Sequence, residues 1–267
     1  MNAYLKSLLV FILFILYNEG GKLLIEYFIL NGYVSLNHDY IYIVDIIINL
    51  PLLVILFLFI RKTDPNLFHR NRKDNSNPYL LIYVVLLSLS FKIATMPIMH
   101  LDFMLGERKI GTPLPLFSKV FILLSFFSMV ILIPFVEEII FRKIILSFFE
   151  EKQIIKGIIF SSFLFLVAHY GYKNHINIQI INILFLGFIT GALYIKYGFL
   201  YNYIFHVVYN LLWYIFNFNR KEYSELLLYL NFNYQYWIII FLSLVGLVYL
   251  INKLRLSPLS LKRNHST

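Results

Sequence analysis

Two adjacent carboxylates and a cation, Glu137, Glu138 and Arg142, follow a long apolar run. Charged side chains are costly in hydrocarbon, and within membrane spans they usually pair or serve a function. Glu138 and Arg142 lie four residues apart, so they share one helix face and can form an ion pair. Glu137 has no such partner, because the positions four residues away hold Ile133 and Phe141. Glu137 is therefore a candidate base for hydrolysis.

Two further pairs have the same four-residue spacing. Phe165 and His169 occur in "FLFLVAHY", and His206 and Asn210 occur in "FHVVYN". Each pair alone also has a structural interpretation, as an interfacial histidine or as a hydrogen-bonding contact between helices. A carboxylate, two imidazoles and an amide donor together are the parts of a hydrolytic site.

The lengths of the intervening segments allow these groups to meet. If the helix that carries Glu137 turns back near Lys152, Glu137 lies fifteen residues before the turn and His169 lies seventeen after it. Both side chains then lie about 23–25 Å from the turn, on antiparallel helices. Gly187 and Gly191 in "GFITG" have the spacing that permits close helix approach. We therefore expect the acid and the imidazoles to converge.

The elements that hold these residues are predicted to be membrane spans. The 267-residue chain is 60% hydrophobic, has a mean hydropathy of +0.75 and contains no Cys. Soluble domains are rarely this apolar, and the lack of Cys excludes disulfides and thiol catalysis. The net charge of +9 comes from cations between apolar runs, which indicates membrane topology rather than nucleic-acid binding. We predict an all-α, polytopic transmembrane bundle with a catalytic core of four helices.

Eight apolar stretches are long enough, or nearly so, to cross the bilayer: residues 5–30, 40–60, 79–100, 117–141, 154–170, 178–196, 199–217 and 235–252. The loop 61–78 carries five Lys and Arg and is the clear soluble linker. With both termini cytoplasmic, fifteen Lys and Arg fall on that side and six on the other, as the positive-inside rule requires. The expected division is N-terminal spans over 1–116, the catalytic core over 117–217, and a last span with a basic tail over 218–267.

The three motifs, taken in order, resemble a known family. "EEIIFR" fits E-E-x-x-x-R, "FLVAH" fits F-x-x-x-H and "HVVYN" fits H-x-x-x-N. Together they resemble the CPBP intramembrane proteases, which include CAAX prenyl endopeptidases and proteins of bacteriocin processing and immunity. The resemblance covers about residues 117–217. It implies a multi-pass endopeptidase of the cell membrane that acts on a peptide or membrane-protein substrate.

The resemblance also implies a role for each motif residue. Glu137 would be the catalytic carboxylate, His169 its partner in activating water, and His206 with Asn210 would hold the oxyanion. Structural support would come from Glu138, Arg142 and Phe165. Zinc held by Glu137, His169 and His206 is one version of this site, and a metal-free mechanism uses the same residues. The two versions stay open at this point.

Other classes of function remain as alternatives. The chain has no H-E-x-x-H helix and no G-x-S-x-G turn, which excludes two common hydrolase classes. A proton-coupled transporter would also place Glu and His inside spans. A non-proteolytic immunity or scaffold protein would keep the same motifs. The substrate stays open among prenylated tails, peptide pheromones, bacteriocin leaders and membrane proteins, and the Ile-, Asn- and Lys-rich composition indicates a bacterial source.

Overall fold

The computed structural model describes residues 2–30, 41–63, 79–99, 119–170, 179–230 and 232–256. Every regular element in these ranges is helical, and seven helices are long and apolar enough to cross a membrane. The prediction of a polytopic helical bundle is thereby confirmed. Most of the predicted linker, from residue 64 on, and the basic tail, from residue 257 on, lie outside the described residues.

The helices are numbered in chain order. They are α1 (Ala3–Leu30), α2 (Ile41–Thr63), α3 (Leu80–Ala94), the composite helix α4 described next, α5 (Ile154–Tyr170), α6 (Gln179–Tyr197), α7 (Phe199–Phe218), α8 (Arg220–Leu230) and α9 (Tyr234–Lys253). A single turn, Met96–Met99, follows α3, and two 3-10 turns, Leu146–Phe148 and Glu151–Gln153, lead from α4 to α5. The turn expected near Lys152 is therefore present.

Helix α4 changes its winding along its length. It consists of Lys119–Phe126, the π-helix Phe127–Leu132, the α-helical segment Ile133–Glu138 and the π-helix Ile139–Ile144. Short π-helical segments are rare and occur often at functional sites. Here they lie on both sides of the segment that ends with the two adjacent acids.

In the first π-helix one backbone carbonyl has no hydrogen-bond donor within its own helix, and a neighbouring helix supplies the donor. The N–H of Ile133 donates to Ser128 O, five residues back. The next residue, Pro134, has no N–H, so the ladder offers no donor to Met129 O. Asn210 of α7 donates its Nδ2 hydrogen to this carbonyl at 3.0 Å. The proline and the amide together fix α7 against α4.

Helices α5 and α6 approach each other closely at two glycines. A Cβ at Gly187 would lie 2.9 Å from the Cβ and 3.0 Å from the Cα of Ser162, and one at Gly191 would lie 3.0 Å from Ile158 Cγ2. Real Cβ atoms almost never show a contact as short as that at Gly187, so this position needs glycine, and a side chain at Gly191 would require Ile158 to move. The close packing expected from "GFITG" is confirmed.

The seventh of the eight predicted spans, 199–217, forms α7, which is not among the seven helices that are apolar enough to cross a membrane in the described residues. The physical reason is its polar content, which lowers its hydropathy, and two of its polar residues, Asn202 and His206, are buried within the bundle. Helix α1 runs unbroken through "YNEGG". Gly21 in that stretch packs against Ile48 of α2, whose side-chain atoms would lie 3.2 Å from an added Cβ.

Candidate active site

Glu137 lies between two imidazoles that come from different helices. His169 Nε2 of α5 is 3.6 Å from Glu137 Oε1, and His206 Nε2 of α7 is 3.7 Å from Glu137 Oε2. The structure thus brings together three residues that sequence spacing predicted to meet. Both distances exceed that of a direct hydrogen bond.

The second ring nitrogen of each histidine is held by an acceptor. His169 Nδ1 lies 2.9 Å from the carbonyl oxygen of Phe165, and His206 Nδ1 lies 2.7 Å from Glu138 Oε1. Because a carbonyl or carboxylate oxygen can only accept, both Nδ1 atoms carry the hydrogen. In the neutral rings, Nε2 therefore directs its lone pair toward the Glu137 side, which orients both rings as bases.

Glu138 is completely buried and is the centre of a hydrogen-bond network. It accepts from His206 Nδ1 and from Asn202 Nδ2, and its Oε2 lies 3.4 Å from Arg142 Nε. The predicted pairing of Glu138 with Arg142 is thus present in the structure. The carboxylate has a second contact that the sequence argument did not include, because it also orients His206.

Arg142 is enclosed by hydroxyl groups from two other helices. Its Nε and one terminal nitrogen donate to Thr190 Oγ1 at 3.0 and 2.8 Å, and the other terminal nitrogen donates to Ser161 Oγ at 2.8 Å. Ser161 in turn donates to Phe141 O at 2.6 Å. The guanidinium therefore links α4 to α5 and α6 at the depth of the site.

Phe165 packs its ring against both imidazoles. Its centroid lies 4.4 Å from the His169 ring and 5.8 Å from the His206 ring. The Arg142 guanidinium lies 5.2 Å from the same centroid, within range of a cation–π contact. This side chain is fully buried and contacts the guanidinium and both imidazoles, a placement that suits its predicted supporting role.

Asn210 is directed toward the backbone of α4. Its Nδ2 donates to Met129 O, as described above, and no contact with Glu137 or the histidines is among its hydrogen bonds in the described residues. One Nδ2 hydrogen is therefore used structurally. The predicted role as oxyanion donor would need the second hydrogen of the same nitrogen.

Three residues of the site were missed by the sequence argument. Asn202 contacts Glu138, and Ser161 and Thr190 hold Arg142. A signal for Asn202 was present, because it precedes His206 by four residues and therefore lies on the same face of α7. Ser161 and Thr190 gave no such signal, since hydroxyl residues inside spans commonly bond to their own helix.

A cavity of about 290 Å³ lies beside Glu137 and His169. It lies among α1, α2, α4 and α5, and its lining includes Asn18, Lys22 and Asp45. The Glu137 side chain is 13% exposed and that of Glu138 is 0% exposed. Of the two adjacent acids, only Glu137 can therefore meet a molecule that enters the cavity.

The same residues were considered as zinc ligands. Two imidazole nitrogens and one carboxylate are a donor set that zinc accepts, and each histidine has the Nδ1 partner typical of metal-binding histidines. However, the described residues contain no group of three or more His, Cys, Asp or Glu spaced to hold a metal ion as they stand. The zinc site therefore remains a prediction.

Comparison with known proteins agrees with the motif resemblance. Residues 119–212 match the family model described as type II CAAX prenyl endopeptidase Rce1-like. The match covers about a third of the chain and includes α4 to most of α7, with every candidate catalytic residue. It confirms the recognition drawn from the three motifs and supports a membrane-embedded protease at the level of the family. No curated protein and no solved structure matches the chain significantly.

Proposed function

We propose that the chain is an intramembrane endopeptidase in which Glu137 and His169 activate the water that attacks the scissile bond. The observation that carries the proposal is the placement of the Glu137 carboxylate between the Nε2 atoms of His169 and His206, beside a cavity within the bundle. A carboxylate and an imidazole at such distances are a suitable pair for general-base catalysis.

The reaction begins with a water molecule on the cavity side of Glu137. Glu137 accepts one proton from this water, and the oxygen forms a bond to the scissile carbonyl carbon. The carbonyl oxygen then carries the negative charge of a tetrahedral intermediate. When the C–N bond breaks, the proton passes from the Glu137–His169 pair to the leaving nitrogen, so the acid and the base return to their first states.

His206 supplies the second side of the site. The N–H at Nδ1 donates a hydrogen bond to buried Glu138, so Nε2 is directed to the reacting groups. In its doubly protonated form the His206 ring carries a hydrogen on Nε2 as well as on Nδ1, and the Nε2 hydrogen can stabilise the oxyanion, a contribution typically worth several kcal/mol. Asn210 would add a second donor through the Nδ2 hydrogen that does not bond to Met129.

The substrate side of the proposal is broader. We propose a peptide or membrane-protein substrate, of CAAX type, bacteriocin or pheromone precursor, or an integral protein, and a location in the bacterial cell membrane with both termini cytoplasmic. The family match supports a membrane-embedded protease. The excess of Lys and Arg on the side of the termini supports the orientation.

The test is replacement of Glu137 by Gln, which keeps the shape of the side chain and removes its charge. We expect peptide cleavage by the purified protein to fall by about 10²-fold or more, with normal accumulation in the membrane. Glu222→Gln is the matched control, because Glu222 is an exposed residue of α8 away from the cavity. Wild-type cleavage of the native substrate by Glu137→Gln would contradict the assignment.

Proton-coupled transport is a second candidate, and one observation favours it. The cavity is lined by Lys22 and Asp45 from the first half of the chain as well as by Glu137 and His169 from the second. Charged groups along a membrane cavity are typical of proton pathways. Purified protein in vesicles with an imposed pH gradient separates the two functions, since a transporter dissipates the gradient in the presence of its solute and an endopeptidase does not.

A further inference from the structure

The cavity beside Glu137 has a polar wall that the three motifs do not supply. Asn18 and Lys22 of α1 and Asp45 and Asn49 of α2 line it together with residues of α4 and α5. Both α1 and α2 lie outside residues 119–212, which match the family model. The catalytic groups and this wall therefore come from different parts of the chain.

The Asp45 carboxylate has no hydrogen bond or ion pair within the described structure. No ion pair or hydrogen bond to its carboxylate oxygens occurs among the described residues, although its backbone carbonyl accepts from Asn49 Nδ2 at 2.7 Å. Lys22 is near enough to act on the Asp45 carboxylate electrostatically. The Lys22 ammonium instead lies 3.6 Å from Glu19 on its own helix.

The charges around the cavity therefore favour a cation. Asp45 and Glu137 are two acids in the lining. The positive charge of Lys22, which also lines the cavity, is partly offset by its ion pair with Glu19. Charge in a cleft with low-dielectric walls acts more strongly than the same charge at an open surface. An acceptor-only carboxylate within a membrane span that receives no hydrogen bond is also expensive unless a ligand supplies the donor.

The remaining lining fits the stem of a long cationic side chain. Phe14 and Ile15 of α1 and Ile133 and Val136 of α4 are apolar and lie in the same cavity. Lys and Arg place their methylene groups along such surfaces while the charged end contacts a polar group. At about 290 Å³, the volume is at the small end of the usual range for ligand cavities. It suits one side chain with the adjoining backbone rather than a folded segment.

We infer that this cavity is a specificity site for a basic residue of the substrate, Lys or Arg, close to the scissile bond. The Asp45 carboxylate binds the cationic end, and the Asn18 amide oxygen accepts a second hydrogen bond. The inference rests on the proposed function, because the scissile bond must lie at Glu137. It names a preference that comes from α1 and α2 and not from the catalytic motifs.

The experiment uses internally quenched peptide libraries with the full-length protein in detergent micelles. One position at a time is fixed as Lys, Leu or Glu. For the wild type we expect one position at which Lys is preferred over Glu by about tenfold or more in kcat/KM, which corresponds to about 1.4 kcal/mol. Asp45→Asn should abolish this preference, Lys22→Gln should increase it, and the control Glu222→Gln should leave it unchanged.

Two results would overturn the inference. One is a Lys preference of equal size in the wild type and in Asp45→Asn. The other is a preference for Glu in the wild type. If Asp45→Asn does not accumulate, Lys22→Gln still decides, because removal of a cation from the cavity must strengthen the preference for a cationic residue.

A binding measurement separates this inference from the proposed function. Fluorescent, unquenched peptides with Lys or Glu at the fixed position are titrated into Glu137→Gln and into Glu137→Gln/Asp45→Asn. Tighter binding of the Lys peptide that is lost with Asp45 supports the site even if the wild type cleaves no peptide. Equal binding of the two peptides by Glu137→Gln refutes the site even if the wild type is an active protease.

Discussion

Asn210→Ala is expected to destabilise the protein through the backbone of α4. The Asn210 amide donates to Met129 O at 3.0 Å, in a helix where Pro134 cannot supply the ladder donor. A part-buried carbonyl that loses its partner costs about 1–3 kcal/mol. For a chain of this size that is a fall in Tm of roughly 2–12 °C. Thermal unfolding of the purified protein in detergent measures it.

A second substitution makes this reasoning specific. Pro134→Ala restores an N–H that can donate to Met129 O in the five-residue register seen at Ile133. The double variant Asn210→Ala/Pro134→Ala should therefore recover most of the lost stability. Asn219→Ala is the matched control, because Asn219 donates to Ile215 O at 2.8 Å at an exposed helix end. Water can replace that bond, so its Tm should change little.

The same variants separate the two roles of Asn210. If its second Nδ2 hydrogen also stabilises the oxyanion, the double variant regains stability while cleavage stays about 10²–10³-fold below the wild type. If the residue is only structural, stability and cleavage return together. The account of the π-helix is refuted if Asn210→Ala is as stable as Asn219→Ala, or if Pro134→Ala gives no recovery.

Three further predictions concern the charged groups of the site. His169→Ala should reduce cleavage by about 10²-fold or more with normal membrane accumulation, and near wild-type cleavage would remove His169 from the mechanism. Arg142→Met should lower the free energy of unfolding by about 3–5 kcal/mol because it leaves Glu138 charged and buried. The double variant Arg142→Met/Glu138→Gln should lose less stability than the sum of the two single variants. An additive result in thermal unfolding would show that the two residues do not act as a pair. If zinc is bound, elemental analysis of active protein should give about one zinc per chain, lost in His206→Ala, and full activity with far less metal would refute the zinc site.

The pairing of site residues was predictable where the two residues lie four apart on one helix and therefore share a face. Glu138 with Arg142 follows from helix geometry alone, and the approach of His169 to Glu137 follows from equal distances to a common turn. The spacing of the glycines in "GFITG" likewise indicates the close packing that the structure has. These contacts join residues that are close in sequence or equally far from one turn. They form even though parts of α4 are wound as a π-helix.

Other features depend on contacts between distant segments and gave no local signal. The π-helical segments of α4 cannot be inferred from composition, since their residues are ordinary apolar ones. The hydroxyls of Ser161 and Thr190 that hold Arg142 are nineteen and forty-eight residues away in sequence. Polar residues of α1 and α2 belong to the cavity only because those helices pack beside α4 and α5. Periodicity could not assign them to the site.

The two adjacent acids illustrate why neighbouring residues of one helix can have opposite roles. Consecutive side chains of an α-helix point about 100° apart, so Glu137 and Glu138 face different surroundings, although both lie near His206. Glu138 is directed inward, where Asn202, His206 and Arg142 surround it and its exposure is 0%. Glu137 is directed to the cavity with 13% exposure. Glu138, the buried acid, holds Nδ1 of His206. Because the ring is rigid, this contact also fixes the position of Nε2 beside Glu137, the accessible acid. A membrane span therefore retains both charges, because the fixed carboxylate positions a histidine for the carboxylate that can reach a substrate.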